Sequence, residues 1–194
     1  MIAGHFGLAA GIKSRVPAAP TWALMLASVW LDVIFLPLLA AGVETMTPFG
    51  SGDGKGYGAA IIHADWTHSL VGALVIAATF GVVCAIPWGR KLGAIMGAMV
   101  FSHWVLDLPM HHHDMPLLPA NAGHLPLFGF GLWSFPALAA LLELVLVAGG
   151  TWLYWRKAVA VAKAGGTEAK RANVAAIAMA LSGVVTLALS VGGQ

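Results

Sequence analysis

The stretch 68-HSLVGALVIAATFGVVCAIPWGRKLGAIMGAMVFSHWVLDLPM-110 decides the fold class of this chain. It holds two apolar runs, at 68–88 and 91–110, and each is close to the roughly 20 residues that a helix needs to cross a bilayer. Trp88 ends the first run, and the pair Arg90–Lys91 lies at the junction with the second, as expected at a membrane surface. The stretch therefore predicts two membrane-spanning helices.

The rest of the chain has the same apolar character. Only 9% of its 194 residues are charged and 59% are hydrophobic, whereas a soluble domain carries roughly 25% charged residues. Segments 20–42, 132–155 and 172–192 are also long enough to span a bilayer, while the apolar residues 1–12 are too short. The sequence predicts one integral membrane domain over 1–194, an all-α polytopic bundle of about five transmembrane helices plus a short N-terminal helix.

Several other classes of protein are disfavoured. The net charge is only +2, and no basic patch is interleaved with exposed aromatic residues, so we expect no nucleic-acid partner. Cys84 is the only cysteine, which excludes an intrachain disulfide. The N-terminus lacks the basic start and cleavage site of a signal peptide. Residues 50–58 predict a flexible glycine-rich loop without the Walker pattern.

Lysine and arginine are distributed unevenly among the predicted loops. Nine of the ten fall before the first span, between spans two and three, or between spans four and five, and only Lys55 lies on the other side. The positive-inside rule then places the N-terminus in the cytoplasm and the C-terminus outside. We expect the chain to lie in the bacterial inner membrane.

The histidines show the opposite asymmetry, and this is the main functional signal. On the same map, seven of the eight histidines fall at or near the extracytoplasmic face, together with five carboxylates. Ionisable groups at membrane depth are costly and generally functional. The group consists of His63, His68, His103, His111, His112, His113 and His124, with Glu44, Asp53, Asp65, Asp107 and Asp114.

The segment 102-SHWVLD-107 supplies the clearest candidate for metal chemistry. His103 and Asp107 are four residues apart on a predicted helix, so they share a face. An imidazole and a carboxylate one turn apart form half of a site for zinc or a similar divalent ion. His111 would continue this stripe, but Pro109 is expected to kink or end the helix first.

The segment 63-HADWTHS-69 supplies a second piece. His63 lies in a predicted loop and His68 near the start of span two, where Asp65 or Thr67 could cap the helix. Asp32 and Glu143 lie inside spans and reach a similar depth, so they could converge with His103 and Asp107. His5 lies on the nominally cytoplasmic side and could join only if residues 1–12 re-enter the membrane.

Each of these residues also has a purely structural interpretation. The pair His103–Asp107 could be a hydrogen-bonded packing contact, and His63 with His68 a polar helix entrance. Asp32 could be a buried carboxylate bonded to a neighbouring side chain, and Glu143 a structural or proton-sharing group. The triple histidine at 111–113 could be a solvated loop or an adventitious metal site.

The order of the motifs resembles the YdjM-type family of inner-membrane metal-dependent hydrolases. The matching pieces are 4-GHFGLAAG-11, 31-LD-32, 63-HADWTHSL-70 and 97-GAMVFSHWVLDLPM-110, which together cover about the first 120 residues. Each motif is weak alone, and their order and spacing carry the resemblance. The family is similar to zinc-dependent phospholipase C, which implies a helical fold with a His- and Asp-rich site acting on phosphoester bonds.

The resemblance also implies a ligand set and shows departures from it. The positions that match the family's polar residues are His5, Asp32, His63, His68, His103 and Asp107. However, Ile34 and Phe35 stand where the family's first-span motif has a second aspartate and a histidine, and Asp65 replaces a glycine. Because these two ligands are missing, we expect fewer metal ions than the family's motif implies. Asp65 or the triple histidine could replace the missing ligands.

Three functional hypotheses follow. The leading one is a hydrolase of a lipid or lipid-linked phosphoester, with a divalent metal, zinc or else Mn²⁺ or Fe²⁺, at the extracytoplasmic side of the bilayer. Its metal ligands would be His63, His68, His103, Asp107, Asp32 and His5, with Asp65, Glu143 or His111 as general base. The second hypothesis is a non-catalytic metal-handling membrane protein. The third is a structural subunit that would form a homo-oligomer or bind another membrane protein through the small residues of the last span.

Overall fold

The computed structural model describes residues 1–50, 58–166 and 169–192, with side chains up to residue 188. Most of the predicted glycine-rich loop, including Asp53 and Lys55, lies outside the described residues, as does Glu168. The described chain is mostly helical. Its helices are α1 (Ile2–Arg15), α2 (Thr21–Ser28), α3 (Trp30–Ala40), α4 (Leu70–Asp107), α5 (Pro136–Ala164) and α6 (Lys170–Gly192), with 3-10 turns at Pro119–His124 and Leu132–Ser134.

The α4 helix doubles back on itself. Gly89 has φ +81° and ψ 163°, which no helical residue adopts, and Pro87 precedes it. A Cβ on Gly93 would lie 2.5 Å from the Gly81 carbonyl oxygen, and one on Gly97 would lie 2.8 Å from that of Ala77. In a straight helix residues 81 and 93 would be about 18 Å apart. The predicted spans 68–88 and 91–110 are therefore two antiparallel arms joined at Gly89.

The predicted first span, 20–42, is broken. Helices α2 and α3 meet at Val29 with a bend of 51°, and Asp32 lies in the first turn of α3. A carboxylate is favourable there because the free N–H groups of a helix N-terminus carry partial positive charge. The bend also interrupts the helical hydrogen-bond series next to Ser28, whose carbonyl becomes part of the site.

The structure supports a membrane location without confirming the number of spans. Within the described residues, α4, α5 and α6 are each long and apolar enough to cross a bilayer, and the bent pair α2–α3 would make a fourth. The count of about five remains a prediction. The predicted span 132–155 overlaps α5, which begins at Pro136 after the 3-10 turn Leu132–Ser134. Proline is favourable at this first helical position because its missing N–H would have no partner within the helix.

Two local features differ from what the sequence predicts. The fold is not entirely helical, because β1 (Thr45–Pro48) and β2 (Ala60–His63) form an antiparallel ribbon in which Thr45 faces His63. The helix after His68 is capped by Ser69, whose hydroxyl accepts from the Gly72 N–H. Neither Asp65 nor Thr67 caps it.

Glycine contacts hold α1 inside the bundle. A Cβ on Gly7 would collide with the backbone at Leu146, and one on Gly150 would collide with the Gly7 carbonyl. The bare backbones of α1 and α5 therefore touch, as small residues permit in membrane helices. The last helix packs within the same bundle, since a Cβ on Gly183 would meet Val147.

Candidate metal centre

Side chains from five segments meet at one end of the helical bundle. The segment before α4 provides His68, the second arm of α4 provides His103 and Asp107, and α3 provides Asp32. All except Asp32 are at least 97% buried, and the Asp32 side chain is 30% exposed. His5 from α1 and His111 from the loop after α4 lie at the edges of this group.

Four donor atoms lie close together and belong to two overlapping groups that share His103, one with Asp32 and His68 and the other with His5 and Asp107. Nε2 of His68 and Nε2 of His103 are 3.3 Å apart, and Oδ1 of Asp32 lies 3.6 Å and 3.5 Å from them. Oδ2 of Asp107 lies 3.7 Å from Nε2 of His68 and 3.0 Å from Nε2 of His103. Donors at about 2.0–2.2 Å from a tetrahedral zinc ion would be roughly 3.3–3.6 Å apart, so the spacing of Asp32, His68 and His103 fits one divalent ion.

A hydrogen bond to the backbone at the bend between α2 and α3 fixes the ring orientation of His103. Its Nδ1 lies 2.8 Å from the Ser28 carbonyl oxygen. A carbonyl can only accept a hydrogen bond, so Nδ1–H is the donor. In the neutral ring the lone pair is then on Nε2, which faces the other three donor atoms. This outer contact is of the kind that orients metal-binding histidines.

A longer hydrogen-bond chain fixes His68. The Thr67 hydroxyl lies 3.0 Å from both carboxylate oxygens of Glu44 and 2.8 Å from Nδ1 of His68. Glu44 also accepts the backbone N–H groups of Trp66 and Thr67. Because the carboxylate only accepts, the hydroxyl donates to Glu44 and accepts from Nδ1–H of His68. The lone pair of neutral His68 therefore also points into the centre.

His111 is oriented in the same way by a neighbouring acid. Its Nδ1 lies 2.9 Å from Oδ1 of Asp114, and Oδ2 of Asp114 accepts the backbone N–H of Ile62. The other ring nitrogen, Nε2, lies 3.7 Å from Oδ2 of Asp107. This side chain therefore presents a third imidazole lone pair to the same carboxylate.

The donor set needs positive charge to hold it together. The lone pairs of His68, His103 and His111 and the carboxylates of Asp32 and Asp107 all face inward as acceptors. Asp107 also has the N-terminal ammonium group of Met1 at 3.9 Å from Oδ1. The inward-facing nitrogens need either a bound cation or an extra proton, for example on His103, which would donate it to Asp107 at 3.0 Å. Buried acceptors without a donor or cation would be strongly destabilising. The cluster therefore fits a metal ion, and the protonated state is the alternative that an experiment has to distinguish from it.

His5 joins a second, overlapping group with His103 and Asp107. Its Nε2 lies 3.1 Å from Oδ1 of Asp107, and its ring stacks on that of His103 at 3.8 Å. Within the described residues, Nδ1 of His5 has no hydrogen-bond partner. The α1 helix is too short to span, and burial lowers the pKa of His5 to about 4, which leaves a neutral ring suited to metal binding.

The cluster forms one wall of a cavity of about 370 Å³. The polar residues at the cavity are Asp32, His68, Asp107, His111 and Glu143, and apolar residues include Ile2, Leu36 and Met46. Oε2 of Glu143 accepts the backbone N–H of Gly4, 2.9 Å away. These apolar side chains are each 45% or more exposed, so the mouth is apolar and the floor is polar.

Two predicted site residues lie apart from the cluster. Nε2 of His63 is bonded to the Thr47 hydroxyl across the β-ribbon at 3.0 Å. Asp65 uses its backbone carbonyl to accept from Ala120, and it is not among the residues that line the cavity. Neither belongs to the two metal-ligand groups among the described residues, and the roles predicted for them remain predictions.

The triple histidine divides into three environments. His111 faces the cluster, whereas His112 bonds to the Gly58 carbonyl at 2.8 Å and stacks on Phe49. His113 is exposed. One of the three therefore belongs to the centre, one holds the loop against the ribbon, and one faces outward.

Sequence reasoning missed the groups that orient the ligands. Sequence analysis assigns no separate role to Glu44 or Asp114, and the carbonyl of Ser28 has no sequence signature. The available signal was the spacing His111-x-x-Asp114, because side chains three residues apart can form a hydrogen bond within a turn. Glu44 acts across a gap of 23 residues, beyond the reach of local patterns.

Comparison with known protein families, characterised proteins and solved structures found no match to this chain. Membership of the YdjM-type family therefore remains a prediction from the motifs. The chain's own residues carry the functional argument. Buried histidine and aspartate groups that could hold a metal ion are present, and they do not identify the metal.

Proposed function

We propose that this chain is a membrane-embedded metal-dependent hydrolase that acts on a lipid or lipid-linked phosphoester. The observation that carries the proposal is the pair of overlapping ligand groups beside a cavity, Asp32–His68–His103 and His5–His103–Asp107. The imidazoles of His68 and His103 are oriented by outer hydrogen bonds, as in preorganised metal sites. Imidazole nitrogens and carboxylate oxygens suit zinc, with Mn²⁺ and Fe²⁺ as alternatives.

When bound, a divalent ion would polarise a phosphoryl oxygen and lower the pKa of a bound water toward 7. Asp32, His68 and His103 would hold it at the cavity wall, with Asp107 beside them. His5 would support the cluster from behind, through its contact with Oδ1 of Asp107 and its stacking on His103.

His111 is the best-placed general base. It lines the cavity, and Asp114 holds its Nδ1–H, so the unprotonated Nε2 faces the donor set. The ring would accept a proton at Nε2 from the attacking water, and the carboxylate of Asp114 would stabilise the resulting imidazolium. Glu143 also lines the cavity but accepts from the Gly4 N–H, which favours positioning α1 as its main role.

The cavity favours an amphiphilic substrate. The exposed apolar side chains of Ile2, Leu36 and Met46 would contact hydrocarbon, while the polar floor would take the phosphoester. A site at the end of apolar helices would meet such a molecule at the membrane surface. In the proposed orientation this end is extracytoplasmic and the basic end is cytoplasmic, following the positive-inside rule.

The test is the metal content of purified protein by elemental mass spectrometry, followed by hydrolysis assays with phosphoester lipids. Wild type is expected to hold zinc, manganese or iron in stoichiometric amount, and His103→Ala and His68→Ala are expected to lose it. His113→Ala is the matched control, because this histidine is exposed in the same loop. Changing 111–113 together would be a poor control, since His111 faces the centre.

The proposal fails if wild type holds no metal after metal has been added back. Circular dichroism and thermal unfolding of each variant separate loss of a ligand from loss of the fold. Metal binding with turnover supports the hydrolase, and the turnover should fall with the metal content in the His103 variant.

A second function, metal binding without catalysis, is favoured by one observation. Phe35 packs edge-on against His68, with ring centroids 5.9 Å apart. This apolar ring stands where the resembling family has a histidine, so the centre has fewer donors than that family implies. Stoichiometric metal without turnover on any phosphoester lipid would favour this function over the hydrolase.

A further inference from the structure

A basic cavity lies away from the metal-ligand cluster, where α1, α5 and α6 come together. Its volume is about 750 Å³, and four cationic side chains line it. Lys157 follows Glu143 on α5 by 14 residues, which corresponds to about 21 Å of helix. The cations come from three helices: Lys13 from α1, Lys157 from α5, and Lys170 and Arg171 from α6.

These four charges are not neutralised by the described part of the protein. Among the described residues, no carboxylate forms an ion pair with any of them. Like charges gathered around one cavity repel each other, and the repulsion is stronger where water is partly excluded. A bound anion would relieve it.

Lys13 is held in place for such a contact. Its Nζ donates to the carbonyl oxygens of Pro17 and Ala19, each at 2.7 Å. An ammonium group has three hydrogens, so one remains for a ligand. Burial lowers the pKa of this side chain, consistent with a cation that is partly desolvated at the cavity wall.

The general bias of loops toward lysine and arginine does not account for this convergence. Arg90, Lys91, Arg156 and Lys163 belong to the same predicted side of the membrane, yet none of them lines the cavity. The lining cations come from positions 13, 157 and 170–171, on three helices that packing brings together. The cavity also has a partly apolar wall that includes Tyr154, Ala158 and Val161.

We propose that this cavity binds the phosphate group of an anionic ligand. A membrane phospholipid and a soluble phosphate compound share that chemistry, since ammonium and guanidinium groups form charge-assisted hydrogen bonds with phosphate oxygens. Basic pockets between membrane helices are a known setting for anionic headgroups. The site is separate from the metal centre and does not depend on the hydrolase function.

Binding should be measured on delipidated full-length protein in neutral detergent. One arm titrates phosphatidylglycerol and follows the complex by native mass spectrometry, with phosphatidylcholine as the zwitterionic comparison. The other arm titrates inorganic phosphate by calorimetry. The test variant is Lys157→Ala with Lys170→Ala, and the control is Arg90→Ala with Lys91→Ala, which removes the same charge from the same predicted side.

We expect the test variant to bind the preferred probe about 30-fold more weakly, and the control variant to bind it as wild type does. Preference for phosphatidylglycerol would identify a lipid as the source of the phosphate, and binding of inorganic phosphate alone would identify a soluble ligand. The proposal is overturned if wild type binds neither probe. Equal losses in both variants would also overturn it, because a diffuse charge effect would then explain the binding.

Discussion

Nε2 of His68 and Nε2 of His103 lie 3.3 Å apart and face each other, although each ring already donates through Nδ1. Two neutral imidazoles in this arrangement offer two lone pairs and no hydrogen between them. The oxygens of Asp32 and Asp107 add further acceptors at 3.0–3.7 Å. The relationship requires a cation at the centre or an extra proton on one ring.

Metal removal distinguishes these two states. If a divalent ion holds the cluster, a chelator should lower the melting temperature by about 5–10 °C, as expected from losing a ligand present at about 100 times its dissociation constant. Added zinc should restore it in wild type and should have no effect on His103→Ala. The measurement is thermal unfolding in detergent. If chelation changes nothing and stability instead falls as the pH rises, a proton holds the cluster.

The Thr67 hydroxyl should control metal affinity without touching the metal. Thr67→Val keeps the shape of the side chain but removes the link between Glu44 and His68, so zinc should bind about 10- to 100-fold more weakly. Thr67→Ser keeps the hydroxyl and should bind zinc nearly as wild type does. Competition with a zinc-binding dye would report the affinity.

A matched control for this change is available at Thr79. Its hydroxyl donates to the Val75 carbonyl on the exposed face of α4, so Thr79→Val makes the same chemical change away from the centre. Zinc affinity should be unaffected there. Equal affinity in Thr67→Val and wild type would show that Thr67 does not orient His68.

His111 should be required for turnover more than for metal binding. If it is the general base, His111→Ala should reduce kcat by about 10²- to 10⁴-fold, while the donors Asp32, His68, His103 and Asp107 retain the ion. His113→Ala should change neither quantity. Assays of hydrolysis and metal content on the same samples make the comparison, and loss of metal from His111→Ala would reassign this side chain as a ligand.

Much of the site could be predicted from periodicity. His103 and Asp107 are one helical turn apart, and their Nε2 and Oδ2 atoms lie 3.0 Å apart. The two apolar runs 68–88 and 91–110 became the arms of the α4 hairpin, with the break at Gly89 between them. The mostly helical, membrane-compatible architecture was confirmed because length and hydrophobicity are local properties of a sequence.

The remaining features depend on contacts that no local pattern encodes. His5 enters the centre because Gly7 and Gly150 allow α1 and α5 to touch, and a glycine pair on different helices has no spacing signal. His63 is turned toward Thr47 by the β-ribbon, which sequence analysis did not predict. The bend at Val29, which exposes the Ser28 carbonyl to His103, lies in a run that was predicted as one continuous span.

The predicted orientation can be tested with single cysteines. In a Cys84→Ala background, Ala122→Cys lies in an exposed part of the loop near the histidines, and Lys163→Cys lies in the exposed last turn of α5 at the basic end. A membrane-impermeant maleimide should label position 122 in intact cells and position 163 only after permeabilisation, because basic segments stay in the cytoplasm. The reverse pattern would place the metal centre at the cytoplasmic face.

The contact between α1 and α5 offers a last prediction with a control one residue away. Gly150→Ala would place a methyl group against the Gly7 carbonyl, whereas a Cβ on Gly149 would meet nothing within 4 Å. Overpacking of this kind destabilises by about 1–3 kcal/mol, whereas alanine at the open position should stabilise α5 by about 0.5–1 kcal/mol.

Because α1 carries His5, Gly150→Ala should also weaken metal binding, while Gly149→Ala should leave it unchanged. Thermal unfolding and zinc titration of the two variants test both effects. Equal stability of the two variants would mean that the backbones of α1 and α5 are not in contact at Gly7. His5 would then have no fixed position beside Asp107, and the second group of metal ligands would not exist.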